Sequence, residues 1–244
     1  MKKIYEKQEV WFAVLWIILY CVISVSLRGS FGDESIWMLL GLAAIAAGIT
    51  VFVKSNHLEE KYGISAWPKD QKTYLWFIPM WLLTTGNLWG GIGRVYSGAA
   101  QIYAVISMVL IGYIEELIFR GFLFRALLKK DGEKPAVIIA AVTFGIGHIV
   151  NLLAGQASLE TVLQVAFAIT WGFIFTMVFY KSGSLLPCIV SHALVDAFSK
   201  FSVESSWGSW VYVVATIILG ALYCVYLSRL PSALSESKKM TQKF

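Results

Sequence analysis

The segment GYIEELIFRG, residues 112–121, sets two adjacent glutamates and an arginine into an apolar run. Glu115, Glu116 and Arg120 are each expensive there, because a charged side chain at the centre of a membrane helix opposes insertion by about 2.5–3.5 kcal/mol. Such groups are kept where they serve a function. His148, His192 and Asp196 share the same apolar setting, and two of the chain's three histidines are therefore in this set. A carboxylate in a low-dielectric cavity is suited to act as a general base. A fixed donor beside a carbonyl stabilises a developing oxyanion. The residue types thus suit acid–base chemistry at membrane depth, or a proton relay through a transporter.

Spacing sharpens the reading. Glu116 and Arg120 are four residues apart, share a helix face and can pair. Glu115 points about 100° away from Glu116, so one acid can be neutralised while the other faces a different space. His192 and Asp196 are also four apart and stack on one face. Each feature alone has a structural use: an i,i+4 Glu–Arg pair can serve packing, and a lone buried histidine more often packs than reacts. Depth joins them. Counting from the nearest basic connection, Glu115 lies about 21 Å along its helix, His148 about 20 Å, His192 about 12 Å and Asp196 about 18 Å. Three helices therefore carry these groups in one slab of the bilayer.

The elements that position them are visible in composition. The chain has 244 residues, 58% of them hydrophobic and 14% charged, with a mean hydropathy of +0.70. Residues 11–27, 36–53, 74–89, 101–119, 135–153, 161–180, 185–199 and 209–228 are apolar stretches near the length a membrane helix needs, about 20 residues. The expected fold is an all-α, polytopic membrane protein of about eight transmembrane helices in a single domain over 1–244. Its motif-bearing core spans 101–200, and a basic tail runs over 229–244. The alternating strands of a membrane barrel are missing. The apolar run after MKKIYEKQEV is too long for a signal peptide and is read as the first span. Pro79 is expected to kink the third span, and Pro187 sits near the start of the seventh, where proline is tolerated.

With eight spans, sixteen lysines and arginines fall on one side and only Arg28, Arg94 and Lys200 on the other. The basic side should be cytoplasmic, with both termini on it. The net charge of +5 is then a basic face beside anionic lipid, with no nucleic-acid partner required. Cys21, Cys188 and Cys224 stand singly in apolar spans and read as small fillers. Asn87, Thr143, Asn151 and Gln164 read as helix–helix hydrogen bonds, and Trp11, Trp16, Trp37, Trp67 and Trp76 mostly as interface anchors.

At these residues the chain resembles the CPBP family, the CAAX proteases and bacteriocin-processing enzymes also called Abi. EExxxR reads as Glu115-Glu116-Leu-Ile-Phe-Arg120, FxxxH as Phe144-Gly-Ile-Gly-His148, and HxxxN or HxxxD as His192-Ala-Leu-Val-Asp196. The resemblance covers roughly 100–200 and implies an intramembrane glutamate endopeptidase similar to type II CAAX prenyl endopeptidases. It implies that Glu115 and His148 activate a water and that His192 and Asp196 stabilise the oxyanion. Glu116, Arg120 and Phe144 would shape the site. No cofactor is implied, although Glu115, His148, His192 and Asp196 are also acceptable ligands for a divalent metal such as zinc. Asparagine occupies the last motif position in some members. An ionised aspartate cannot donate a hydrogen bond, so Asp196 is either protonated or orients His192. The expected substrate is a membrane-associated peptide or protein (a CAAX-type tail, a bacteriocin leader or a pheromone precursor) cut near the cytoplasmic half of a bacterial membrane. A non-catalytic scaffold of the same fold and a proton-coupled transporter are the alternatives.

Overall fold

The computed structural model describes residues 2–68, 70–154, 158–203 and 206–235. The short helix α1 (Lys2–Lys7) leads into α2 (Glu9–Phe31) and α3 (Ile36–Ser55). Next come α4 (Gln71–Trp76), α5 (Ile78–Thr84) and a 3₁₀ turn at Gly86–Leu88. Helix α6 (Gly98–Glu116) continues through a π-helical stretch, Leu117–Phe124, into α7 (Arg125–Asp131). The remainder is α8 (Glu133–Gly147), a 3₁₀ segment at His148–Ala154, α9 (Ser158–Ser182), α10 (Leu186–Ser199) and α11 (Ser206–Ser228).

Six helical segments are long and apolar enough to cross a membrane: Glu9–Phe31, Ile36–Ser55, Gly98–Asp131, Glu133–Leu152, Thr161–Ser182 and Trp210–Ser228. The protein is a polytopic helical membrane protein. Two of the eight expected spans differ from a simple crossing. The stretch 74–89 divides into α4, α5 and the 3₁₀ turn, because Pro79 has no N–H to extend the hydrogen-bond ladder from α4 into α5. Helix α10 has 14 residues. That gives about 21 Å, against a hydrocarbon core about 30 Å thick. Of the basic tail, residues 236–244 lie outside the described residues.

The segment built from α6 and α7 is the centre of the bundle, with 61% of its apolar window buried. Small residues let its neighbours close on it, as in membrane helix packing generally. A Cβ on Gly112 would sit 2.6 Å from the Ala193 backbone nitrogen of α10. On the far side of the site, a Cβ on Gly172 of α9 would sit 2.7 Å from the Ala141 carbonyl oxygen of α8. Helices α2 and α3 cover α6 with an aromatic cluster of Phe12, Trp16, Phe52 and Phe122. Trp16 is thus a core residue at 7% exposure, whereas Trp11, Trp37 and Trp67 are exposed. Sequence alone could not tell a tryptophan facing lipid from one facing a neighbouring helix.

Candidate active site

The pair Glu116–Arg120 forms the floor of the site. Both side chains are fully buried, and Arg120 Nη1 donates to Glu116 Oε1 at 2.9 Å. The helix adopts its wider π form over this stretch. Such turns are rare and frequent at functional sites. The Arg120 guanidinium lies 4.2 Å from the Phe144 ring centroid and 5.4 Å from that of Phe175. Cation–π contacts of this kind are strongest when desolvated, so the two rings help hold a charge that cannot reach water.

Glu116 Oε1 also accepts from His192 Nδ1 at 2.8 Å. This fixes the His192 ring, which stacks on Phe175 with centroids 5.4 Å apart. The opposite ring nitrogen, Nε2, then faces two further carboxylates: Glu115 Oε2 at 3.6 Å and Asp196 Oδ2 at 3.5 Å. Both ring nitrogens of His192 therefore face acid oxygens, Nδ1 at hydrogen-bond distance and Nε2 at longer range.

Glu115 is held from a direction the motifs do not reveal. Tyr20 Oη of α2 donates to its Oε1 at 2.6 Å, across 95 residues of sequence. His148 sits immediately past the end of α8. Its Nδ1 lies 3.1 Å from the Phe144 carbonyl oxygen. As the donor to that carbonyl, Nδ1 leaves the lone pair on Nε2. Phe144 touches both histidines edge-on, with centroids 5.3 Å from His148 and 5.6 Å from His192. The aromatic of FxxxH is thus the spacer between the two imidazoles and a lid on Arg120.

A cavity of about 440 Å³ opens over these groups and is lined by Glu115, His148, His192 and Asp196 together with Tyr20, Trp171 and Phe175. Glu116 and Arg120 lie beneath its wall, outside the lining set, as support. Several residues read from sequence as simple packing are also on this wall: Cys21, Asn87, Asn151 and Gln164. Asn87 Nδ2 does bond across to the Val195 carbonyl at 2.7 Å, and Asn151 Nδ2 to Gln164 Oε1 at 2.8 Å. They join helices and face the cavity at once. Towards the rim, Arg28 Nε bonds Asp33 Oδ1 at 2.7 Å, and Lys200 Nζ reaches Asp33 Oδ2 at 3.2 Å. Sequence reading missed Tyr20, Arg28 and Asp33. An Arg and an Asp five residues apart at the end of an apolar run were the one available signal for the last two.

The cavity lies towards one end of the bundle. Asp196 is three residues from the end of α10 at Ser199, and His148 adjoins the end of α8 at Gly147. The basic connections lie at the opposite ends of the same helices. As for a metal, no group of three or more His, Cys, Asp or Glu among the described residues forms an arrangement that could hold one.

Residues 98–198 match the family model described as type II CAAX prenyl endopeptidase Rce1-like. The match contains every motif residue and excludes Tyr20, Arg28, Asp33 and Lys200. No curated protein and no solved structure matches the chain.

Proposed function

Residues 98–198 belong to the Rce1-like family of type II CAAX prenyl endopeptidases, and on that premise we propose that the protein hydrolyses a peptide bond in a membrane-associated polypeptide with Glu115 as general base. The observation that carries the reading is the bifurcated setting of His192, with Glu116 at one ring nitrogen and Glu115 and Asp196 at the other. A packing histidine has no use for three carboxylates.

The chemistry follows from the donors and acceptors. A water between Glu115 and His148 gives a proton to Glu115 as its oxygen attacks the scissile carbonyl carbon. His192, held as a donor from beneath by Glu116, stabilises the oxyanion. The proton on Glu115 then passes to the leaving amine as the C–N bond breaks. Asp196 Oδ2, 3.5 Å from His192 Nε2, favours the charged form of the ring and leaves the Nε2 proton free to turn to the oxyanion. Tyr20 holds Glu115 in place by its hydrogen bond. No step of this scheme uses a metal. The membrane is the cytoplasmic membrane of a bacterium, with both termini on the cytoplasmic side.

Comparative peptidomics of membranes from cells carrying the wild type or Glu115→Ala tests this directly. Peptides that vanish with Glu115→Ala name the substrate. An unchanged peptide profile, with the variant inserted at normal abundance, removes the proposal in favour of a scaffold.

A further inference from the structure

The geometry points to substrate delivery from the extracytoplasmic face: the scissile segment is part of a polypeptide exposed on the outer surface of the membrane. This rests on the peptidase reading only for the word substrate. The opening itself is argued from charge and topology.

The two ends of the bundle differ sharply. At one end Lys61 Nζ and Lys129 Nζ both meet Glu9, at 2.6 and 2.8 Å. Here lie Lys54, Lys61, Lys72, Arg125, Lys129, Lys130, Lys134 and Lys181, eight of the chain's twenty lysines and arginines. At the other end stand Arg28, Arg94 and Lys200, three cations against sixteen. Short connections rich in Lys and Arg stay in the cytoplasm. The sparsely basic end is therefore outside.

The cavity belongs to that outer end. Its rim is built from Arg28, Asp33, Ser199 and Lys200, where α2 and α10 finish. None of its described lining residues comes from the basic connections. Its floor is closed on the cytoplasmic side by the fully buried Glu116–Arg120 pair and by Phe122 and Phe124. The rim charges are almost satisfied among themselves through Asp33, and the deeper wall is aromatic, with Phe119, Phe144, Trp171 and Phe175. A polypeptide with an apolar side chain beside the scissile bond fits that gradient. A cytoplasmic tail would face the closed floor.

The test uses cysteine accessibility in intact cells and does not depend on activity. In the full-length chain lacking Cys21, Cys188 and Cys224, single cysteines report three places: Ser30→Cys the outer end, Lys130→Cys the basic end, and Ser199→Cys the cavity rim. Val25→Cys, also on the cavity wall, replaces Ser199→Cys should that variant fold poorly. A membrane-impermeant maleimide is added before and after permeabilisation. The expected result is a labelling shift at 30 and at the cavity position in intact cells, with complete loss of labelling at 130 until permeabilisation. Labelling at 130 in intact cells, or a cavity position that reacts only after permeabilisation or not at all, overturns the inference. A failed peptidomics comparison alongside the expected labelling would unseat the peptidase reading and leave the sidedness standing.

Discussion

Tyr20 and Glu115 are joined by a 2.6 Å hydrogen bond between the first long helix and the motif helix. The bond lies between the matched family segment and a helix outside it. A hydrogen bond to a charged group is worth about 1.5–3 kcal/mol. If Tyr20 positions the base, Tyr20→Phe lowers the turnover of the natural substrate by about ten- to hundredfold. Thermal stability in detergent should change little, because the ring remains. A Tyr20→Phe protein with full turnover would reduce the bond to packing.

Glu115→Gln keeps shape and removes the base. General-base assistance contributes about 10²–10⁴ in rate, and a loss of that size is expected with unchanged insertion and melting temperature. Glu116→Gln should act differently. It leaves the fully buried Arg120 without its ion pair, and breaking a buried pair costs about 3–5 kcal/mol. Melting in detergent separates the two variants: the first melts normally and the second does not. The double variant Glu116→Leu with Arg120→Leu should recover stability relative to Glu116→Gln, while remaining inactive.

Gly112→Val should cost both stability and activity. Even a Cβ at this position falls 2.6 Å from the Ala193 nitrogen, so α10 must move away from α6 and carry His192 with it. A purified Gly112→Val protein that melts like the wild type would show that α10 is not held by this contact.

Acid should weaken the rim. Burial by itself raises the Asp33 carboxyl, but Arg28 and Lys200 outweigh it and hold the group below its ordinary 3.8. A carboxylate depressed in the folded state contributes stability above its unfolded value, and that contribution is lost as pH falls through the folded value. The wild-type melting temperature is therefore expected to fall below about pH 4. Asp33→Asn should be less stable at neutral pH and show a shallower acid decline. Parallel curves for the two proteins would count against this assignment.

Cleavage should survive dialysis against a metal chelator, since the proposed steps run on side-chain acid, base and donor groups alone. Loss of activity that zinc restores would reopen the metal mechanism.

Much of this protein was legible from residue order. Helical membrane architecture follows from apolar length, because lipid offers no partner to backbone polar groups. The motif residues were visible because charge in an apolar run is costly enough to be rare. The i,i+4 pairing of Glu116 with Arg120 followed from helix geometry. Other features were decided only by the folded chain. The broken third segment depended on how α5 packs past Pro79. The exposure of Trp11 and burial of Trp16 depended on which neighbour each faces. Tyr20, Arg28 and Asp33 joined the site from sequence-distant positions, and a tyrosine or an arginine near a helix end carries no local mark of the group it will touch. The cavity's openness at one end and closure at the other is likewise a property of packed surfaces. Local pattern fixes which groups are costly to bury; only three-dimensional packing decides which of them meet, and from which side a substrate can reach them.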